Sequence, residues 1–227
     1  MGTTAGAVRA GARRLPFAVV AIAMAAPVAI AVAVAWNANS HHAPKVKTLP
    51  PATGTAATSL RQVAGAMETV AGYRFAGTVQ NGNEAVTVTG EFAAPDRLHE
   101  TLSVSGAQPL ERLVIAGHQY QRVGTGWQAV SGTAPTDPRT TFGALAAATA
   151  VTAQPGGYAF TLGGTAAQQL VSGAPAAGTT VTGSVQVRNG VIVDVAYHSS
   201  RGVATSVHFA YADVGTAPVI TAPPPAA

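Results

Sequence analysis

Residues able to do chemistry are few and scattered in this chain. The histidines fall as the pair His41-His42 and singly at His99, His118, His198 and His208. Two adjacent histidines with no third ligand nearby do not make a metal site. The other four sit on the polar side of alternating stretches. Glu91 and Glu100 flank Pro95-Asp96-Arg97. Brought together across that turn, two carboxylates would share acid–base work; on solvent-facing positions they form an ordinary polar face. There is no Cys, so there is neither a thiol nucleophile nor a disulfide. The Gly-x-Ser-x-Gly, His-Glu-x-x-His and phosphate-loop patterns are also absent. The expectation is a protein that is not an enzyme, with no catalytic residue, no metal and no cofactor.

The elements that hold these residues are mostly strands. "YRFAGTVQ" puts Tyr73, Phe75 and Val79 on one side. "EAVTVTGEF" puts Val86, Val88 and Phe92 on one side, and the joining "NGN" is a hairpin signal. After Pro95 the chain sets Leu98, Glu100, Leu102 and Val104 against His99, Thr101, Ser103 and Ser105. "LERLVIAGHQYQRV", broken at Gly117, and "GWQAV" extend the series. Trp127 there either lines a pocket mouth or fills space. "YAFTLGG", "TTVTGSVQVR", "VIVDVAYHS" and "VATSVHFAYADV" complete about ten strands of period two. Their apolar sides include Val181, Val185 and Val187, then Val191, Val193, Val195 and Tyr197, then Val203, Val207, Phe209 and Tyr211.

Three helices are expected. The first opens on a capping box at Ser59-Leu60-Arg61-Gln62, carries a stripe of Leu60, Val63, Ala64, Met67, Val70 and Ala71, and ends at Gly72. A second starts at Asp137-Pro138 and carries Phe142, Leu145, Ala146 and Thr149. A third opens on Thr165-Ala166-Ala167-Gln168. Antiparallel strands with one apolar side need a cover, and these helices supply it. The fold class is therefore α+β: one large curved antiparallel sheet with helices on its concave face, over residues 58–215.

Parity also fixes the last hairpins. Odd positions oppose odd positions if Ser200-Arg201-Gly202 is a three-residue loop, and the same holds for Arg188-Asn189-Gly190. Asp194 then faces His208 on the polar side.

Before the sheet, Leu15 to Trp36 is an uncharged run of 22 residues, enough to span a bilayer. Arg9, Arg13 and Arg14 precede it and no acid does, which keeps residues 1–14 in the cytoplasm and sends the rest outside. An uncleaved anchor over 15–36 is expected, in the cell membrane. The alternative is a signal peptide cut at Ala33-Val34-Ala35, giving a secreted protein. Residues 37–57 are a linker, and 216–227, ending "TAPPPAA", are expected to be a disordered tail. The net charge of +4 owes much to the three early arginines. No basic patch with interleaved aromatics appears, so no nucleic-acid partner is expected.

The export segment, the capped helix and the run "YRFAGTV…VTVTGEFAAPDRLHETLSV…LERLVIAGHQYQRVGTGW" resemble the LolA-like superfamily. The pattern is similar to the LppX/LprG-type mycobacterial lipoproteins and related actinobacterial envelope proteins, over about Ser59 to Val214. It departs from them in lacking the lipobox Cys. The resemblance implies a half-open β-barrel whose concave apolar face, partly plugged by helices, holds acyl chains. Here that face would be Phe75, Val79, Val88, Phe92, Leu102, Val193, Tyr197 and Phe209 of the sheet, under Leu60, Met67, Phe142 and Leu145. Two functions stay open. One is a membrane-anchored envelope binding protein for an acyl-chain lipid or other apolar molecule. The other is a structural or signalling ectodomain with a packed core that works through its surface. Apolar periodicity does not separate a packed core from a ligand cavity.

Overall fold

A computed structural model describes residues 50–82, 84–131, 138–170, 178–200 and 205–223. The expected membrane span, Leu15 to Trp36, lies outside the described residues, as does Asp137. No helix among the described residues is long and apolar enough to cross a membrane.

Among the described residues, eleven strands form one antiparallel sheet. They are β1 (Gly72–Asn81), β2 (Glu84–Ala93), β3 (Arg97–Val104), β4 (Leu110–Ile115), β5 (His118–Val123), β6 (Gly126–Val130), β7 (Ala150–Gln154), β8 (Gly157–Gly163), β9 (Thr180–Arg188), β10 (Val191–Ser199) and β11 (Thr205–Ala212). Their order is β6-β5-β4-β3-β2-β1-β11-β10-β9-β8-β7. Two meanders thus meet at a central seam between β1 and β11, and β6 and β7 are the outermost of the described strands. The sheet is open. The strand missed on the sequence is β7, whose five residues include a single large apolar side chain, Val151.

The first helix, α1 (Thr55–Thr69), buries Ala57, Leu60, Val63, Ala64 and Met67, the spacing of one helical face. It starts earlier than expected. Gly54 stands at its N-cap without a side-chain cap, so Ser59 lies inside the helix and no capping box forms. Gly72 opens β1 instead of ending α1. A 3-10 turn (Pro138–Thr141) leads through Phe142 into α2 (Gly143–Ala146), and α3 (Gly164–Leu170) follows β8 directly.

One side of the sheet and these helices share a single core. Close approach across strands depends on glycines on that side, Gly77 and Gly90 among them. A Cβ at Gly77 would collide with the carbonyl of His208 and the ring of Phe209. One at Gly90 would collide with the carbonyl of His99 and lie 2.6 Å from the Phe75 ring. The aromatic rings occupy the room that these positions leave.

The other side of the sheet carries a second, smaller core of Ala93, Leu113 and Ile220, flanked by Ile115, Tyr120 and Trp127. Ile220 corrects the expectation of a disordered tail from residue 216. It is 4% exposed, and Arg97 Nη1 donates to its carbonyl at 2.7 Å. Pro-rich composition misled there because Ala93 and Leu113 look like outward positions until something covers them.

The hairpin expectations need two corrections. Val191 pairs directly with Arg188, so Asn189-Gly190 is a two-residue turn. Both residues have positive φ, 52° and 77°, as the turn type favoured by right-handed strand twist requires. Parity is restored by a bulge between Ile192 and Asp194. At the last hairpin Tyr197 pairs with Val207 and His198 with Ser206, two positions beyond the register of a three-residue loop. Arg201 and Gly202 lie outside the described residues. Odd positions still oppose odd ones. Asp194 pairs with Ala210, and reaches His208 diagonally, Oδ2 to Nε2, at 2.7 Å.

Candidate ligand-binding face

The expected binding residues come together with one exception. Phe75, Val79, Val88, Phe92, Leu102, Tyr197 and Phe209 of the sheet share one cluster with Leu60, Met67, Phe142 and Leu145 of the helical side. Each is 3% exposed or less. Val193 does not join them. It is the bulged residue, half-buried, and Ile192 points inward in its place at 0% exposure. A bulge puts two residues opposite one and so shifts which of them faces the core.

Aromatic rings link sheet to helices. Tyr73 lies 5.4 Å from Phe92 and 5.4 Å from Tyr211 between ring centroids, and Phe142 lies 5.4 Å from Tyr211. Tyr197 donates its hydroxyl to the carbonyl of Leu170 at 3.0 Å, tying β10 to the end of α3. Burial pushes the Tyr197 and Tyr211 phenols well above their ordinary pKa. Arg139 joins the 3-10 turn to both layers. It donates to the Val70 carbonyl at 3.1 Å and lies 5.2 Å over the Phe92 ring.

Two charged residues on this face were not assigned to the site. Glu100 and Arg112 pair across β3 and β4, at 2% and 8% exposure. Arg112 Nη2 lies against Glu100 Oε1, while Arg112 Nε has no hydrogen-bond partner. Burial raises the Glu100 pKa above its ordinary 4.5, and the Arg112 charge offsets only part of that. The signal was present in the sequence, because Glu100 alternates in phase with Leu98 and Leu102.

Glu91 and Glu100 do not meet. Glu91 pairs with His99 and Glu100 with Gly90, so the two carboxylates stand on opposite sides of the sheet. Glu91 instead joins an outer cluster. His99 Nε2 lies 2.9 Å from Glu111 Oε1, and His99 Nδ1 lies 3.9 Å from Glu91 Oε1. Trp127 stacks under Arg122 at 5.6 Å. Glu91, His99, Glu111, Trp127 and Ile220 help to line a hollow of about 240 Å³. His118 and His198 are exposed. Among the described residues no group of three His, Asp or Glu side chains is arranged to hold a metal ion.

No family model matches the chain, and no curated protein matches it. Solved structures do. The chain is similar in fold to two mycobacterial lipoproteins. LprF from Mycobacterium bovis has a TM-score of 0.48 at 14% identity, over 76% of this chain and 97% of that one. LppX from Mycobacterium tuberculosis has a TM-score of 0.48 at 11% identity, over 73% and 97%. A DUF1329 family protein from Desulfovibrio piger has a TM-score of 0.29 at 7% identity, over 71% and 93%.

Proposed function

We propose that the protein is an envelope binding protein for an acyl-chain lipid or similar apolar molecule, held at the membrane by Leu15 to Trp36 with its domain outside. The ligand lies between the sheet and its helical roof, and the protein does no chemistry on it. One observation carries this reading. A broad apolar sheet face is roofed by one helix of 15 residues and by two helices of only 4 and 7. Such short helices have almost no stability of their own and are held by packing alone. Each buried CH₂ of a ligand contributes about 0.8 kcal/mol, so an acyl chain competes with Phe142, Leu145 and Leu170 for the same surface. Binding opens the roof rather than filling a ready void.

The test is native mass spectrometry of the protein purified from bacterial membranes, followed by delipidation and titration with a fluorescent fatty acid. Co-purified lipid and saturable uptake are expected. A folded, delipidated protein that takes up no fatty acid or phospholipid at high micromolar concentration overturns the reading. A soluble product beginning at Trp36 overturns the anchor.

A second reading has its own support. Eleven of the twelve expected face residues are at most 3% exposed, as in a core packed to its full density. That favours an ectodomain that works through its outer surface, and the same titration decides between them.

A further inference from the structure

The sheet forks at one end. β10 pairs with β9 from Val191 to Ser199, and β11 pairs with β1 as far as Ala212. Pairing between β10 and β11 begins only at Asp194 and Ala210. Val191 and Ile192 on one strand, and Tyr211 and Ala212 on the other, therefore do not pair with each other. The bulge at Val193 sits in the crotch of the fork. Bulges bend a strand and increase its twist, which accounts for the divergence.

A hollow of about 560 Å³ fills the fork, lined by Arg188, Val191, Val193, Tyr211 and Val214 among others. Small-molecule sites run to about 300–1,000 Å³. The hollow adjoins the main core, because Val191 and Val214 pack on that core and Tyr211 belongs to it. Tyr211 also touches Phe142 of the roof, and its buried hydroxyl has no hydrogen-bond partner. The charge around the hollow is unequal. Asp213 is held by Arg74 at 3.0 Å, whereas Arg188 makes no ion pair among the described residues.

We propose that this fork is the entrance for a single-chain amphiphile with an anionic headgroup, the headgroup on Arg188 and the chain running past Val193 toward Tyr211. The inference rests on the binding function proposed above. Apolar rim residues pass the chain, and a cation at the mouth selects its charged end. Tyr211 is the hinge between the mouth and the face under the roof, since it lines one and packs in the other.

The chain has no Cys, so one introduced thiol is labelled alone. The full chain in amphipol is made as Ala212→Cys, an exposed rim position, and reacted with a bulky maleimide. The probes are a fluorescent C18 carboxylic acid and its methyl ester. Labelling is expected to slow uptake of the acid by about tenfold or more. The same label on Gln128→Cys, exposed on β6, leaves uptake unchanged. Arg188→Ala weakens binding of the acid by about two- to fivefold, as for an exposed ion pair, and leaves the ester unaffected. Val191→Cys, labelled likewise, repeats the blockade if the first variant melts early. If wild-type protein loads the acid and both labelled rims load it at the unlabelled rate, the entrance is elsewhere while the binding function stands. If wild-type protein takes up neither probe, both fall.

Discussion

Glu100 and Arg112 are the residues whose burial has a sharp consequence. Burial raises the Glu100 pKa above 4.5, with Arg112 opposing it. A carboxyl with a raised folded pKa binds its proton more tightly in the folded state. Its contribution to stability is full below pH 4.5 and is lost as pH rises through the higher folded value. Urea unfolding in steps from pH 4 to 8 should therefore show stability falling as pH rises above 4.5, and Glu100→Gln should flatten the fall. The pair also predicts non-additivity. Glu100→Leu strands a buried guanidinium and should destabilise by about 3–5 kcal/mol, whereas Glu100→Leu with Arg112→Met should recover most of it. A double loss equal to the sum of the Glu100→Leu and Arg112→Met losses would show that the two charges do not interact. The phase of Glu100 was legible in the alternation of β3. Its partner was not, because Arg112 is twelve residues on and only the register of β3 on β4 brings them opposite. The register of β2 on β3 separates Glu100 from Glu91, which are close in the chain.

At the scale of elements, alternation served best where strands are regular and failed where one residue is inserted. Tyr73, Phe75, Val79, Val86, Val88 and Phe92 all lie on the side their parity gave them. Val193 does not, because the Asn189-Gly190 turn is one residue shorter than expected and the bulge makes up the difference. Helix ends were the least legible, since α1 begins without a side-chain cap. Glycines inside elements give a prediction of opposite signs. Gly77→Ala drives a methyl into the His208 carbonyl and the Phe209 ring, and should destabilise by about 1–3 kcal/mol or more. Gly65→Ala, inside α1 with nothing within 4 Å of the new methyl, should stabilise by about 0.5–1 kcal/mol. Chemical denaturation of the two variants side by side checks both; a Gly77→Ala protein as stable as wild type would mean that the two strands do not approach as described.

For the molecule as a whole, one open sheet with a helical roof was legible from periodicity, while the cover on its outer side was not. Ile220 is the anchor of that cover. Ile220→Ala should cost about 2 kcal/mol, at the low end for a buried aliphatic in so small a cluster, and the loss should appear as a lowered urea midpoint with an unchanged slope. A wild-type midpoint in that variant would remove the cover from the stabilising contacts. The central seam has a further meaning in time. Chains are made from the N-terminus, and domains generally fold as units. β1 through β6 can pair as they appear, each strand with its predecessor. The inner edge of β1, however, is completed by β11, the last of the described strands to be made. For several seconds at ordinary synthesis rates the finished half-sheet shows a bare, apolar edge to whatever surrounds it, and an unpaired edge is where foreign strands add. That edge is therefore open to foreign strands until β11 arrives. A chain cut short after β10 would keep that edge open for good.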